Sequence, residues 1–352
     1  MKGHAKMKLF FKSIMLVAIA AAIAFTFAAC GTDKTTTTSD LTGTVSTTLP
    51  APDKDLEINI YTLSGTTALG IAGLLSDVKA GNADMNYKIE ILTATDQVTA
   101  PLISGEAQIG ALPTNAAATV FEKSGGKVKL LALNTLGVLY LLQNTETEDI
   151  KDYSDLQGKT VYVPGAGSNP EYIAKALFEN AGVNVTIDNS TYPSPAELQT
   201  AVAAGNAKLA VLPQPLVTAI IKANSKIAIA MNFTEKWEAV YGENTLVQGC
   251  LVVNTAFAEA HPAEVEKFLE DYKKSVEFVK SASDEAVATV VDAKILPNAA
   301  VAKEAIPKSN LTFIAGADMK PIATVYFEKL FALNPASVGG KVPGDEFYYI
   351  SK

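Results

Sequence analysis

No arginine occurs anywhere in these 352 residues, so no planar guanidinium can clamp a carboxylate or phosphate through two bonds, and an anion could be held only by backbone amides, hydroxyls or lysine. Histidine is nearly as scarce. His4 sits in the leading segment, and His261 precedes Pro262 at a helix start with no nucleophile or carboxylate pair beside it, which makes it a surface residue near a cap rather than a base. HExxH, metal-spaced Cys/His clusters, phosphate-cradling glycine loops and GxSxG are all missing. GAGSNP lacks the third glycine of a dinucleotide fingerprint, and the acid after it is not placed for a ribose. Catalysis therefore has little support, and no cofactor or metal is implied. Basic runs are also lacking: 29 basic against 37 acidic residues give a net charge of −8, and a phosphate backbone would be repelled, which excludes nucleic acid as a partner.

What is present begins with a leader. Residues 1–29 carry Lys2, Lys6, Lys8 and Lys12 but no acid, then run apolar from residue 14 to residue 27, interrupted only by Thr26. That is the layout of a signal peptide. It ends in small residues directly before Cys30, which resembles the lipobox of bacterial lipoproteins and would leave the Cys30 thiol for a lipid anchor. An uncleaved membrane anchor fits less well, because the chain turns abruptly polar. Residues 30–55 are threonine-rich and almost devoid of large apolar side chains, and they read as a flexible tether holding the folded part close to a membrane outside the cytoplasm. With Cys30 committed to lipid, Cys250 has no partner for a disulfide, and its place in the apolar run GCLVVN marks a buried, inert thiol.

From residue 56 onward, β-branched runs alternate with helical patterns, the signature of sheets covered by helices. Strands are expected at 57–62, 88–92, 108–112, 128–134, 138–143, 159–163, 208–212, 226–231 and 249–254. Helices are expected at 67–78, 96–104, 114–123, 169–181, 195–204 and 214–223. Over 262–280, Val265, Phe268, Leu269, Tyr272, Val276 and Val279 recur at steps of three and four and define one buried stripe.

The text also repeats itself. SGEAQIGALPTN (104–115) returns one hundred positions later as AGNAKLAVLPQP (204–215), with Gly105, Ala107, Ile109, Leu112 and Pro113 matched by Gly205, Ala207, Leu209, Leu212 and Pro213. Upstream, IYTLSGTTALGIAGLL (60–75) and VYVPGAGSNPEYIAKALF (161–178) share a strand, glycine turn and helix. That βαβ units look alike in general does not account for five matches at one offset, so two similar lobes are expected. Ligands of open sheets lie beyond the carboxyl ends of the strands. There Thr114, Asn115 and Gln214 follow the two prolines, and the turns Ser64-Gly65-Thr66-Thr67 and Gly165 to Asn169 open helices. Their amides and hydroxyls would converge on one crevice. Taken singly, each turn is equally well an ordinary N-cap.

SDLQGKTVYVPGAGSNPEYIAKALFENAGV (154–183), LAVLPQPLVTAII (209–221), residues 233–279 and NPASVGGKVPGDEFYYI (334–350) are similar to extracytoplasmic solute-binding lipoproteins of bacterial ABC importers, in the nitrate, sulfonate and taurine group that also holds thiamine-precursor binders. The resemblance implies an α/β, two-lobed type II periplasmic-binding-protein fold. Each lobe is a mainly parallel sheet flanked by helices, the two are joined by two crossing strands, and lobe one spans 56–136 plus 252–352 around lobe two at 137–251. It implies a monomer that captures a small solute and hands it to an ABC permease, with no cofactor. By the same resemblance the cleft residues are Ser64, Gly65, Thr66, Thr67, Thr114, Asn115, Leu136, Gly137, Gly165, Gly167, Ser168, Asn169, Gln214, Trp237 and Gln248. Trp237, the sole tryptophan, either stacks on a solute or caps a lobe-two helix. The solute is nitrate, sulfonate or taurine-like, or a small heterocycle. A solute sensor without a permease, an enzyme on the same fold and a surface protein that binds nothing are the alternatives. The iron motif of the fungal pyrimidine-precursor synthase, rich in cysteine and histidine, is missing.

Overall fold

The computed structural model describes residues 49–351; the signal-like segment 1–29, His4, Cys30 and the tether up to residue 48 lie outside them. Among the described residues, eleven strands form two sheets. They are β1 (Glu57–Leu63), β2 (Asn86–Leu92), β3 (Ile109–Pro113), β4 (Val128–Thr135), β5 (Leu139–Asn144), β6 (Thr160–Tyr162), β7 (Thr186–Asp188), β8 (Leu209–Pro213), β9 (Ile227–Asn232), β10 (Gly249–Asn254) and β11 (Leu311–Ala315). The first sheet runs β2-β1-β3-β10-β4-β11 and the second β7-β6-β8-β5-β9.

The order from β2 to β4 repeats in the second sheet, strand for strand. β1 and β6 pair in parallel with their outer neighbours and with β3 and β8. Next comes one antiparallel strand, β10 in the first sheet and β5 in the second, and beyond it β4 and β9. The inserted strand is in each case the one that has just crossed from the other sheet. The repeated corner accordingly closes two equivalent ladders, with Pro113 opposite Gly249 and Pro213 opposite Leu139. β3 and β8 are buried through their first four residues, as continuous apolar strands covered on both faces must be. β1 alternates instead, burying Ile58, Ile60 and Thr62.

All nine strands expected from the sequence are present, with ends that agree to within two residues. The expected helix at 67–78 is two pieces, Thr66–Leu69 and Ala72–Ala80, and Gly70 at the break lies against Tyr272, where a Cβ would meet the phenol oxygen at 2.3 Å. β10 belongs wholly to the first sheet, so the return crossing precedes Gly249, and residues 249–251 do not belong with lobe two. Strands β7 and β11 and the helices Phe233–Tyr241, Asp284–Asp292, Ala299–Ala305 and Met319–Leu333 were not expected. The last of these rests against lobe two, where Tyr326 donates to Asn169 Oδ1 at 2.8 Å and Lys329 lies over the Tyr241 ring. Its own Phe327 meets Phe347, which meets Phe121 on the side of the first sheet. Among the described residues no helix is long and apolar enough to cross a membrane.

At the crossings, residues 136–138 and 242–248 run side by side. Leu136 N–H donates to Asn310 O, and Asn310 Nδ2 returns a bond to Gly137 O at 2.5 Å. Gly137 is required for space, since a Cβ there would lie 2.3 Å from Thr234 Oγ1. Val138 N–H donates to Gln248 Oε1 at 2.7 Å, inside the protein. Replacing Gln248 with Leu, which keeps the bulk but offers no acceptor, leaves that N–H stranded and should cost about 1–3 kcal/mol of stability. A urea titration checks this as a lowered midpoint with unchanged slope.

Candidate functional site

Pro113 and Pro213 offer no N–H, but one residue beyond each the antiparallel pairing runs on into a crossing segment. Thr114 N–H goes to Gln248 O at 3.2 Å, and Gln214 N–H goes to Val138 O at 3.0 Å. Val138 N–H already rests on the Gln248 side chain, so one relay of bonds runs from Thr114 through Gln248 and Val138 to Gln214. The two corners therefore face one another across the crossings.

Several polar atoms here have no hydrogen-bond partner although they are buried: Thr114 Oγ1, Asn115 Oδ1, Gln214 Nε2 and Thr234 Oγ1. Buried polar atoms are ordinarily paired, because desolvating them without compensation is costly. Thr114 is 0% exposed, Gln214 1% and Thr234 7%. Gln214 spends its Oε1 on Thr218, at 2.8 Å from the hydroxyl, while its amide nitrogen is left over. Asn115 Nδ2 reaches Ser337 O at 3.5 Å, which turns Oδ1 the other way. The helix Thr114–Ser124 has neither a side-chain cap nor an acid in its first turn.

Asn115 also lines a groove of about 580 Å³ whose walls come from both lobes. Thr95, Thr99, Ala116 and Thr119 form the lobe-one side, Gly167 and Tyr172 the lobe-two side, and Ser337 lies between them. This hollow brings together Asn115 and Gly167, residues expected in the cleft from each half of the sequence.

Other expected residues are committed elsewhere. Ser168 is an N-cap: its hydroxyl donates to Pro164 O at 2.7 Å and accepts from Glu171 N at 3.4 Å. Asn169 Oδ1 is taken by Tyr326. Thr67 turns inward and donates to Leu63 O, and the Gln248 side-chain oxygen belongs to the crossing. Leu136 is half-buried at the crossing and Gly137 is fixed by its closeness to Thr234. Ser64 is exposed, with Gly65 (φ +102°) and Thr66 half-buried behind it at the mouth of β1. Trp237 does not line the groove. It is 0% exposed in the helix Phe233–Tyr241, packed on Tyr241 and Tyr326, and its indole donates to Thr245 Oγ1 at 3.0 Å. The sequence signal was a lone large aromatic in a polar segment, and that segment proved to be an amphipathic helix whose apolar face carries the indole.

Glu171 and Thr234 went unnoticed in the sequence. Glu171, 5% exposed, accepts Gly167 N–H at 2.6 Å and the Lys175 ammonium at 2.5 Å. Burial alone would push its carboxyl up, but Lys175, the Gly167 N–H and Asn189 together hold it below the ordinary glutamate value. An acid at the third helical position behind a serine cap was the available signal. Cys250 is fully buried beside Leu112 O, and burial pushes its thiol up to about 12.

A family model described as NMT1/THI5 like matches residues 83–286. No curated protein matches the chain significantly. Among solved structures, an ABC transporter from Parabacteroides distasonis is similar at 19% identity and a TM-score of 0.72, covering 85% of this chain and 100% of that one. The periplasmic aliphatic sulphonate binding protein SsuA from Escherichia coli is similar at 14% identity and 0.68, covering 84% and 92%. The Candida albicans CA3427 gene product, described as exhibiting the generic periplasmic binding protein fold, is similar at 15% identity and 0.55, covering 85% and 93%. The chain has the two-lobed periplasmic-binding-protein fold.

Two contrasts test this assignment of roles. Thr114→Val replaces a buried hydroxyl, whose only polar company is the weakly bonding Cys250 thiol, with a methyl of similar size, so the melting temperature of the unliganded protein should hold or rise, whereas Ser168→Ala should lose about 1 kcal/mol with its cap. Iodoacetamide at pH 8 should leave Cys250 unmodified in the native protein and alkylate it in urea, as peptide mass mapping would show.

Proposed function

Because this chain belongs to the NMT1/THI5-like family, we propose that it is an extracytoplasmic solute-binding protein of an ABC importer, which captures a small solute between its lobes and delivers it to a membrane permease. The observation that carries this reading is the pair of repeated corners set face to face by the Gln248 relay, with unpartnered buried polar atoms on both and a groove walled by both lobes. A solute that hydrogen-bonds to both corners favours the arrangement in which they are close, and so shifts the lobes toward closure. The crossings at 136–138 and 242–248 are the natural place for that bending. Cys30, lipidated after removal of residues 1–29, would keep the receptor at the membrane through the tether. The absence of a nucleophile–base pair from the groove favours capture over turnover.

Nitrate, short alkanesulfonates, taurine and uncharged nitrogen heterocycles are the compounds to screen by thermal shift with the purified full chain. One class should raise the melting temperature saturably, since a ligand at a hundred times its Kd contributes about 2.7 kcal/mol. The compound should be recovered chemically unchanged after prolonged incubation. Chemical conversion of a bound compound would replace the receptor reading with an enzymatic one.

A further inference from the structure

The short helical turn Pro335–Val338 lies along the groove between the lobes and is tied to both of them. Toward lobe one the hold is close. Ser337 O accepts from Asn115 Nδ2 at 3.5 Å and from the Thr119 hydroxyl at 3.4 Å. Gly339 follows at φ +85°, and a Cβ there would come within 3.1 Å of the Thr119 Cα, so the turn sits directly on the helix Thr114–Ser124. Ser337 Oγ donates to Leu330 O at 3.1 Å, which binds the turn to the helix Met319–Leu333 before it.

Toward lobe two the hold consists of a few side-chain contacts. Asn334 caps the turn by accepting from Ala336 N–H at 3.0 Å, and its Nδ2 donates to the Tyr172 hydroxyl at 2.9 Å. On the helix before it, Tyr326 donates to Asn169 Oδ1 at 2.8 Å. Asn169 and Tyr172 share the first turn of the helix Asn169–Asn180, so the two bonds grip the same end of one lobe-two element. Tyr172 is 6% exposed and Tyr326 0%, which keeps water from competing for these bonds while the lobes are together. Parting the lobes would give the same groups water as a partner, so each bond is worth little net and can be released. The crossings are continuous chain and cannot let go; these contacts can.

We propose that Asn334 and Tyr326 form a latch: they hold the first turn of the lobe-two helix Asn169–Asn180 and bias the lobes toward closure through the chain's own contacts, leaving a solute to supply only the remainder. This rests on the reading above that the lobes move about the crossings. Its test is small-angle X-ray scattering from the full chain without solute, in the wild type, the double variant Tyr172→Phe with Tyr326→Phe, Asn334→Ala and Asn334→Asp, with circular dichroism to establish that each is folded. Each lost bond should move the closed-to-open ratio about fivefold toward open. The double variant, and to a lesser degree Asn334→Ala, should therefore have a larger radius of gyration than the wild type. Asn334→Asp should keep the wild-type radius, because its carboxylate still accepts from Ala336 N–H and can accept from the Tyr172 hydroxyl as well. A purely structural role would lower the urea midpoint and leave the radius alone. Equal radii in all four proteins would overturn the latch, as would an Asn334→Asp radius as large as that of Asn334→Ala. If the double variant does not fold, Tyr172→Phe alone takes its place with the same two outcomes. No solute enters these measurements, so a failed latch leaves the receptor reading to the thermal-shift screen.

Discussion

One residue beyond Pro113 and Pro213, the buried Thr114 and Gln214 still pair as strand residues do, Thr114 N–H with Gln248 O and Gln214 N–H with Val138 O. Both acceptors stand where a crossing segment meets its strand, and the Gln248 side chain ties the two segments to each other through the Val138 N–H. The corners therefore lie at the crossings, and one chain of hydrogen bonds fixes both.

The polar residues around the corners and crossings fall into two groups with different duties. Ser168, Thr67, Asn169 and the Gln248 carboxamide oxygen have satisfied hydrogen bonds and hold the walls in place. Thr114, Asn115, Gln214 and Thr234 have polar atoms with nothing to bond to, an arrangement that a folded chain carries at a cost in stability. The difference is invisible at the level of residue type, since hydroxyls and amides occur in both groups. It appears only when each oxygen and nitrogen is followed to its partner.

The repeat was legible in the sequence because small residues and prolines at fixed spacing encode turns, and turns are local. The strand positions followed from β-branched runs for the same reason. The exchange of β5 and β10 between sheets was not legible from patterning, since an apolar strand reads the same in either sheet and in either direction; only the family resemblance pointed to crossing strands. β7 has three residues and β11 follows Asn310, whose φ of +42° begins it abruptly, so neither offered a periodic run. The choice between the two readings of Trp237 was not legible, because a single aromatic in a polar stretch carries no information about which helix face it occupies. Its true setting depends on Tyr326, almost ninety positions away.

The helix Met319–Leu333 leaves the first sheet, packs on lobe two through Tyr326 and Lys329, and returns to the first sheet through Phe347 and Tyr348. Two adjacent segments alone would let one half swivel freely on the other. A third tie between the halves, set apart from those two segments, hinders that swivel and steadies the faces the halves turn toward each other.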